Sequence, residues 1–448
     1  MNHKALSSAF LLPLLAVSPV DAQQSLDGMI DRELPSLFEV YKGLHAAPEL
    51  SHQEAKTAAL LAHELRAAGF MVTERVGRYA RQESKGYGIV GVMKNGEGPT
   101  VLVRSDLDAL PIEERTNLPY ASQVRTTDAN TGQMTGVMHA CGHDVHMASL
   151  IGTARMLGAL KDRWRGTVVL IGQPAEERLD GARAMLSDGL YTRFPRPNYA
   201  LALHVWADLE AGRLGFVSGY AQASSDSVDI TIRGVGAHGS RPNESKDPVV
   251  IAAQVVLALQ TIVSRENSPL DPAVITVGSI HGGAARNIIP SEVTLQLTVR
   301  AYKEEVRRRM LASIERIARN VALAAGVPEA RAPVVAISDA ERSDALYNDP
   351  ALSERLARVF EGSLGSGAVT RLPSLMGSED FGEFGLGGDI PVFYYRVGTS
   401  DPTRLATARQ TGTPLPSTHS PFFAPVPEPT IRTGVKSMTV AVLELMKK

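Results

Sequence analysis

Eight residues, His139-Ala140-Cys141-Gly142-His143-Asp144-Val145-His146, hold three imidazoles, a carboxylate and the only cysteine of the chain. Thiolate and imidazole are the donors preferred by zinc and its first-row neighbours, whereas calcium and magnesium take oxygen shells. Gly142 lets Cys141 and His143 turn toward one point, because glycine has no side chain in the way and tolerates unusual backbone angles. Read alone, the stretch offers a self-contained site of His139, Cys141, His143 and His146. It equally offers a structural cluster around a small buried thiol.

Hydrophobic periodicity shows which elements must position these groups. Helical spacing covers residues 35–41 and 54–68, and Gly69 stops the second helix before a strand at 70–73. Apolar runs at 100–104, 167–171 and 199–203 read as buried strands. The first ends in Ser105-Asp106-Leu107-Asp108, the second in Gln173-Pro174-Ala175-Glu176-Glu177, and the third stops at His204. Three strands thus deliver an acid or an imidazole at their carboxyl ends, where open α/β sheets build their sites. Apolar residues from Met147 to Leu160 recur at helical spacing, so Cys141 and His143 lie at the approach to a helix N-terminus.

The middle of the chain has a different pattern. Val228, Ile230 and Ile232, and later Val293, Leu295, Leu297 and Val299, alternate with polar residues as half-exposed antiparallel strands do. Helices at 248–263 and 304–325, a strand at 273–278 and a last strand near Val334 complete the order of a ferredoxin-like split βαβ unit. The expected architecture is therefore α/β: a catalytic unit, residues 23–222 and 336–448, with a mostly parallel central sheet flanked by helices. An inserted ferredoxin-like α+β unit spans 223–335. The Pro- and Thr-rich stretch 400–417 reads as a loop leading to His419.

Composition bounds the partners. The 448 residues carry a formal charge of −2 without a long basic run, which offers no footprint for nucleic acid or an anionic membrane. Lys4, an apolar run to Val17 and Val20-Asp21-Ala22 read as a signal peptide, residues 1–22, and imply an exported, periplasmic or secreted protein. No second stretch reads as a membrane span. A lone thiol in an oxidising compartment needs protection, and metal ligation would supply it.

Cys141, His143, Glu177, His204 and the distant His419 give two divalent ions enough ligands while leaving positions open for water and substrate. Two-metal sites of this kind hydrolyse acyl and phosphoryl bonds. Glu176 beside Glu177 suits a general base, one carboxylate holding water while the other ligates. Asp108 suits orientation of an imidazole ligand, and Asp106 and Asp144 either do the same or cap helices. The donor mixture fits zinc or manganese, and also cobalt or nickel.

Five ordered stretches carry a resemblance. Arg104-Ser105-Asp106-Leu107-Asp108-Ala109-Leu110-Pro111, Met138-His139-Ala140-Cys141-Gly142-His143-Asp144, Pro174-Ala175-Glu176-Glu177, Leu203-His204-Val205-Trp206 and Met376-Gly377-Ser378-Glu379-Asp380-Phe381 resemble the hippurate hydrolase and auxin-conjugate hydrolase branch of the aminoacylase and carboxypeptidase metallopeptidases. The resemblance implies two metals per subunit, Cys141 as a bridging ligand, Glu176 as base, and a homodimer formed through the insert, which acts as a lid. It also implies that His238 reaches the partner subunit's site to stabilise the oxyanion, that Asn287 contacts substrate, and that Arg300 clamps a substrate carboxylate. Two departures touch the pocket. Arg178-Leu179-Asp180 follows the paired glutamates where relatives are glycine-rich, and the second histidine usual near His238 is absent, with Asn243 nearby.

The expected activity is metal-dependent hydrolysis of the amide of an N-acyl amino acid or peptide. A dipeptidase or carboxypeptidase of the same family is the nearest rival, separated by dipeptide turnover. An exported noncatalytic metal-binding protein would show no hydrolysis, and a cysteine-nucleophile hydrolase would resist chelators and fail on alkylation.

Overall fold

The computed structural model describes residues 25–80, 86–129 and 131–448. The expected signal peptide lies outside them. Helix α1 (Leu26–Ala46) starts at a Ser25 cap whose hydroxyl accepts the Gly28 N–H at 3.2 Å, and it runs on through Pro35. It is therefore longer than the 35–41 segment that the spacing marks. Helix α2 (Ala55–Ala67) matches its expected position.

Eight strands form the main sheet: β1 (Met71–Val76), β2 (Gly88–Asn95), β3 (Thr100–Asp106), β4 (Gly166–Gln173), β5 (Tyr199–Glu210), β6 (Leu214–Phe216), β11 (Val369–Arg371) and β12 (Val392–Ser400). Their order is β1-β2-β4-β3-β5-β12-β6-β11. The centre, β4-β3-β5-β12, is parallel, whereas β2 pairs antiparallel with β4 and β6 with β12, so the sheet is mixed. Strands β3, β4 and β12 are buried almost throughout because both faces of the sheet are covered. On one face α1, α3 (His143–Ala159), α6 (Pro350–Leu364) and α8 (Pro427–Leu445) bury Leu37, Ile151, Phe360 and Val435. On the other, Phe381, Phe384 and Met185 close over Tyr394 and Ile171.

Between β6 and β11 the chain builds a second unit with its own core: β7 (Ser225–Arg233), α4 (Pro248–Thr261), β8 (Ala273–His281), β9 (Glu292–Ala301), α5 (Glu304–Ala324) and β10 (Val334–Ser343). The fully antiparallel order β8-β9-β7-β10 is ferredoxin-like. Strand β10 crosses the expected boundary at 335 and ends at Ser343, opposite Ser225. Beyond that pair, Gly219–Gln222 and Leu346–Asn348 also run antiparallel. The chain thus enters and leaves the insert along one two-stranded ribbon.

Three sequence expectations need correction. Strand β5 does not stop at His204 but continues to Glu210, pairing with β12 after β3 has ended. Residues Pro402–Thr411 are a helix, α7, because the Asp401 carboxylate accepts the Arg404 N–H at 2.9 Å and Pro402 fits the first turn. The segment Pro248–Glu266 is long and apolar enough to cross a membrane by length and composition, contrary to the expectation that no second stretch is. Here a third of it is buried, with Ile251, Val255 and Leu259 facing the insert's sheet.

A candidate dinuclear metal centre

Cys141 and Gly142 form the turn into α3, and His143 is its first residue. Gly142 has φ 78°, and a Cβ there would lie 2.6 Å from Cγ2 of Val205. Both conditions require glycine, and they set Cys141 against β5. Glu176 and Glu177 occupy a 3-10 turn directly after β4, and His419 sits in the loop before α8, its N–H donating to the Ala140 carbonyl at 2.8 Å.

These segments converge. Cys141 Sγ lies 3.4 Å from His204 Nε2. His143 Nε2 lies 3.9 Å from Glu177 Oε1, which is 3.5 Å from His419 Nε2. Among the described residues, two of the five groups of three close-set ligand atoms, Cys141-His143-His204 and Cys141-Glu177-His419, share the thiol, each with its atoms within 4.8 Å of one another. A further one, His143-Glu176-Glu177, includes the Glu176 carboxylate. His143 Nε2 and Glu177 Oε1 are buried and find no hydrogen-bond partner among the described residues. Orphaned buried atoms facing each other in a thiol, imidazole and carboxylate set are what a divalent cation satisfies, so the residues fit two such ions.

The imidazoles are held for that task. His143 Nδ1 donates to the Asp108 carbonyl at 2.7 Å and His204 Nδ1 to the Val205 carbonyl at 2.9 Å, leaving each Nε2 toward the cluster. His146 is support: Nδ1 donates to Asp106 at 2.6 Å, while Nε2 accepts the Val205 N–H at 2.9 Å where β5 has lost its β3 neighbour. His139 is buried and kept neutral, chiefly by burial, which pulls it down to about 4.

Charge is concentrated here. Burial pushes the Cys141 thiol well up, and the neighbouring Glu177 and Glu176 carboxylates push it further. Glu177 rises to about 7, burial outweighing the attraction of His143. Burial, then the Glu379 and Glu177 charges, raise Glu176 well above the usual carboxylate range. His204 is driven well down by burial, with His146 and the Arg396 guanidinium lowering it further. Without cations the thiol, the two glutamates and His204 are pushed toward their neutral forms, whereas at His143 burial is outweighed by the Asp106 and Asp108 carboxylates, which raise it to about 10. With them, thiolate, carboxylates and neutral imidazoles become the favoured forms.

Asp108 touches the imidazole ligand, as expected, and does more. Its carbonyl accepts from His143 Nδ1, its carboxylate Oδ1 lies 3.5 Å from the same nitrogen, and the carboxylate also accepts the N–H groups of Glu176 at 3.1 Å and Glu177 at 3.0 Å, with the Ser51 hydroxyl at 2.6 Å. Glu176 sits with its carboxylate 3.8 Å from His143 Nε2. Arg300 is engaged by main-unit groups. Its Nη1 donates to the Met376 carbonyl at 3.0 Å and to Ser378 Oγ at 2.7 Å, tying the insert to the main unit. His238 and Asn287 are neighbours on the exposed ribbon Ala237–His238 with Ile288–Ile289, where the Gly239 N–H donates to the Asn287 carbonyl at 2.7 Å. His238 belongs to none of the ligand groups among the described residues.

Sequence reasoning missed the charged layer behind Glu176. Arg104 is buried and donates to Asp106 at 2.6 Å, Gln173 at 2.8 Å and Glu379 at 2.5 Å, while Gln173 donates to Asp380 at 2.7 Å. Glu54 likewise accepts the Ala175 N–H at 2.8 Å, fixing the residue before the paired glutamates. An arginine directly after the apolar run Val101-Leu102-Val103 of a buried strand was the available signal.

Sheet, insert and ligand cluster together define a metal-dependent hydrolase acting on amide bonds. The pattern of Peptidase family M20/M25/M40 matches residues 102–413, and the chain belongs to that family. N-acetyl-L-cysteine deacetylase of Bacillus subtilis is 35% identical over 379 residues, 83% of this chain and 85% of that protein. Hippurate hydrolase of Campylobacter jejuni is 38% identical over 282 residues, 63% of this chain and 68% of that protein. Among solved structures, a dinuclear metal binding peptidase of the M20 family from Bacillus subtilis superimposes with a TM-score of 0.72 at 26% identity, covering 93% of this chain and 99% of that one.

Proposed function

We propose that the enzyme hydrolyses the amide of N-acyl amino acids to a carboxylic acid and a free amino acid, with Glu176 as general base. The observation that carries this reading is the pair of three-ligand groups sharing Cys141, with the Glu176 carboxylate 3.8 Å from the His143 ligand atom. Zinc or manganese, with cobalt or nickel as substitutes, would be held by Cys141, His143 and His204 on one side and by Cys141, Glu177 and His419 on the other. Such ions supply Lewis acidity toward the attacked carbonyl and acidity to water.

The remaining chemistry belongs to the chain. Glu176, its proton affinity raised by burial, accepts the proton of the attacking water and returns it to the departing amide nitrogen. Asp108 keeps the Glu176–Glu177 turn in place through two main-chain hydrogen bonds.

The reading extends to a homodimer. Val249, Val250 and Leu257 on α4 are exposed, and β8 is an open edge of the insert's sheet, features that a second subunit would cover. His238 is then available to the partner's site as an oxyanion donor, with Asn287 beside it for substrate. The protein is exported, the leader being removed after Ala22.

The test is a panel of N-acetyl and N-benzoyl amino acids against dipeptides, run on protein loaded with each metal. Glu176→Gln is expected to keep both metals and lose roughly 100- to 10,000-fold in kcat. Unchanged turnover in that variant overturns the role of Glu176, and turnover of dipeptides alone replaces the acyl-amino-acid reading with a peptidase.

A further inference from the structure

Three arginines are buried among the described residues: Arg104, Arg307 and Arg396. Arg104 holds Asp106 and Glu379, and Arg307 holds Asp226 at 2.5 Å. Arg396, only 8% exposed, forms no ion pair with a carboxylate among those residues and makes a single hydrogen bond, from Nη1 to the Tyr394 hydroxyl at 3.2 Å. The Trp206 and Tyr394 ring centroids lie 4.8 and 4.9 Å from its guanidinium carbon. Cation–π contacts of this kind recover less than a buried cation forfeits on leaving water. The site is electrostatically incomplete.

Its position is next to the chemistry. Arg396 stands in register with His204 across the parallel pair β12–β5, and strand alternation puts Tyr394 and Trp206 on the same face. A cavity of about 250 Å³ opens there, walled by Trp206, Phe216, Leu372, Leu375, Tyr394 and Arg396. The Tyr394 ring centroid is 6.0 Å from that of His204, so one side chain separates the cavity from the candidate ligand. Asp208 also borders the cavity but is exposed and does not pair with Arg396.

We infer that Arg396 binds a carboxylate of the substrate, whose apolar or aromatic portion fills this cavity. The assignment rests on the amidohydrolase reading and deepens it. An apolar wall with one unneutralised guanidinium selects a group that is hydrophobic in body and anionic at its tip. The carboxylate comes either from the α-carboxylate of the amino acid or from an acidic acyl group, and the same chemistry recognises both. Arg300 is engaged by Met376 and Ser378, whereas the Arg396 guanidinium meets no carboxylate among the described residues.

The experiment compares wild type, Arg396→Met and Arg396→Lys, each metal-loaded and checked for metal content, on three substrates: N-benzoylglycine, N-benzoylglycinamide and N-(4-carboxybenzoyl)glycinamide. If the α-carboxylate is bound, the kcat/KM preference for N-benzoylglycine over its amide falls roughly 10- to 100-fold in Arg396→Met, through KM. If an acyl carboxylate is bound, the preference for the 4-carboxybenzoyl amide over the benzoyl amide falls instead. Both preferences staying within roughly 3-fold of wild type overturn the assignment. So does an Arg396→Lys enzyme no better than Arg396→Met, because the loss then reflects packing on Trp206 rather than charge.

Calorimetric titration with benzoate and with benzamide separates this assignment from the amidohydrolase reading, and it decides where turnover is absent. Benzoate bound at least about tenfold more weakly by Arg396→Met than by wild type, without hydrolysis of any acyl amino acid, keeps Arg396 and removes the amidohydrolase reading. Equal binding to both proteins removes Arg396.

Discussion

Asp108 anchors Glu177 through the main chain: its Oδ2 accepts the Glu177 N–H at 3.0 Å while the Glu177 carboxylate stays turned toward His143 and His419. Asp108→Ala would release that turn. Supporting residues of this kind are typically worth about 10- to 100-fold in metal affinity or activity. Chelator competition and kcat measured on the same preparation are expected to fall together. Full metal affinity with normal kcat would show that Ser51, Glu54 and the turn itself suffice.

Cys141 belongs to both ligand groups, so one substitution opens both. Cys141→Ala is expected to retain fewer than two ions per chain, read by elemental analysis after gel filtration, and to lose most turnover. Cys141→Asp offers a carboxylate in place of the thiolate and is expected to keep two ions and measurable activity. A nucleophilic cysteine predicts the reverse for the aspartate variant: metal retained, activity gone.

Arg104→Met removes the cation that Asp106, Glu379 and Asp380 surround. Stranding buried carboxylates costs about 3–5 kcal/mol, and denaturant unfolding monitored at Trp164 should register a loss of that size. Adding Glu379→Gln should restore part of it, since the two residues are coupled. A strictly additive double variant would contradict the network.

His45 on α1 bridges Asp144 at 2.7 Å and Glu114 at 3.0 Å, with Tyr41, Tyr120 and His139 also facing it. Burial opposes its charge, but the two carboxylates prevail and raise it from 6.5 to about 10. A group whose affinity for a proton is raised by folding stabilises fully below its unfolded value and loses that contribution as pH rises toward the folded one. The wild-type advantage over His45→Gln should therefore be greatest below pH 6.5 and shrink between 6.5 and about 10, by up to about 1.4 kcal/mol per pH unit. Chemical unfolding at several pH values measures it. Parallel curves for the two proteins would mean that His45 is neutral in the fold.

The ligand set was legible because its members are chemically unusual and cluster in short motifs, and the structure brings Cys141, His143, Glu177, His204 and His419 together. The insert was legible from alternation at Val228–Ile232 and Val293–Val299, since a half-exposed sheet writes its two faces into the sequence. The long reach of β5 was not, because Val205, Ala207 and Leu209 carry no sign of which neighbour they pair with. Nor was the Arg104–Glu379 pair, whose partners are 275 residues apart and whose charges suggest surface until the fold buries them. The Arg300 contact was hidden for a related reason: an arginine on a strand advertises its charge, but the Met376 carbonyl that it meets is a main-chain atom that every residue has.

The ribbon that joins Ser225 to Ser343 has a thermodynamic consequence for the whole molecule. To the main unit, the insert is a loop whose ends are already held one ladder rung apart, so its presence adds almost no closure entropy. Were the insert to melt alone, the same main unit would have to close a flexible span of more than a hundred residues, at a cost of roughly 3–4 kcal/mol relative to a short turn. Two cores that share no side chains are thereby bound to a common melting transition by chain connectivity.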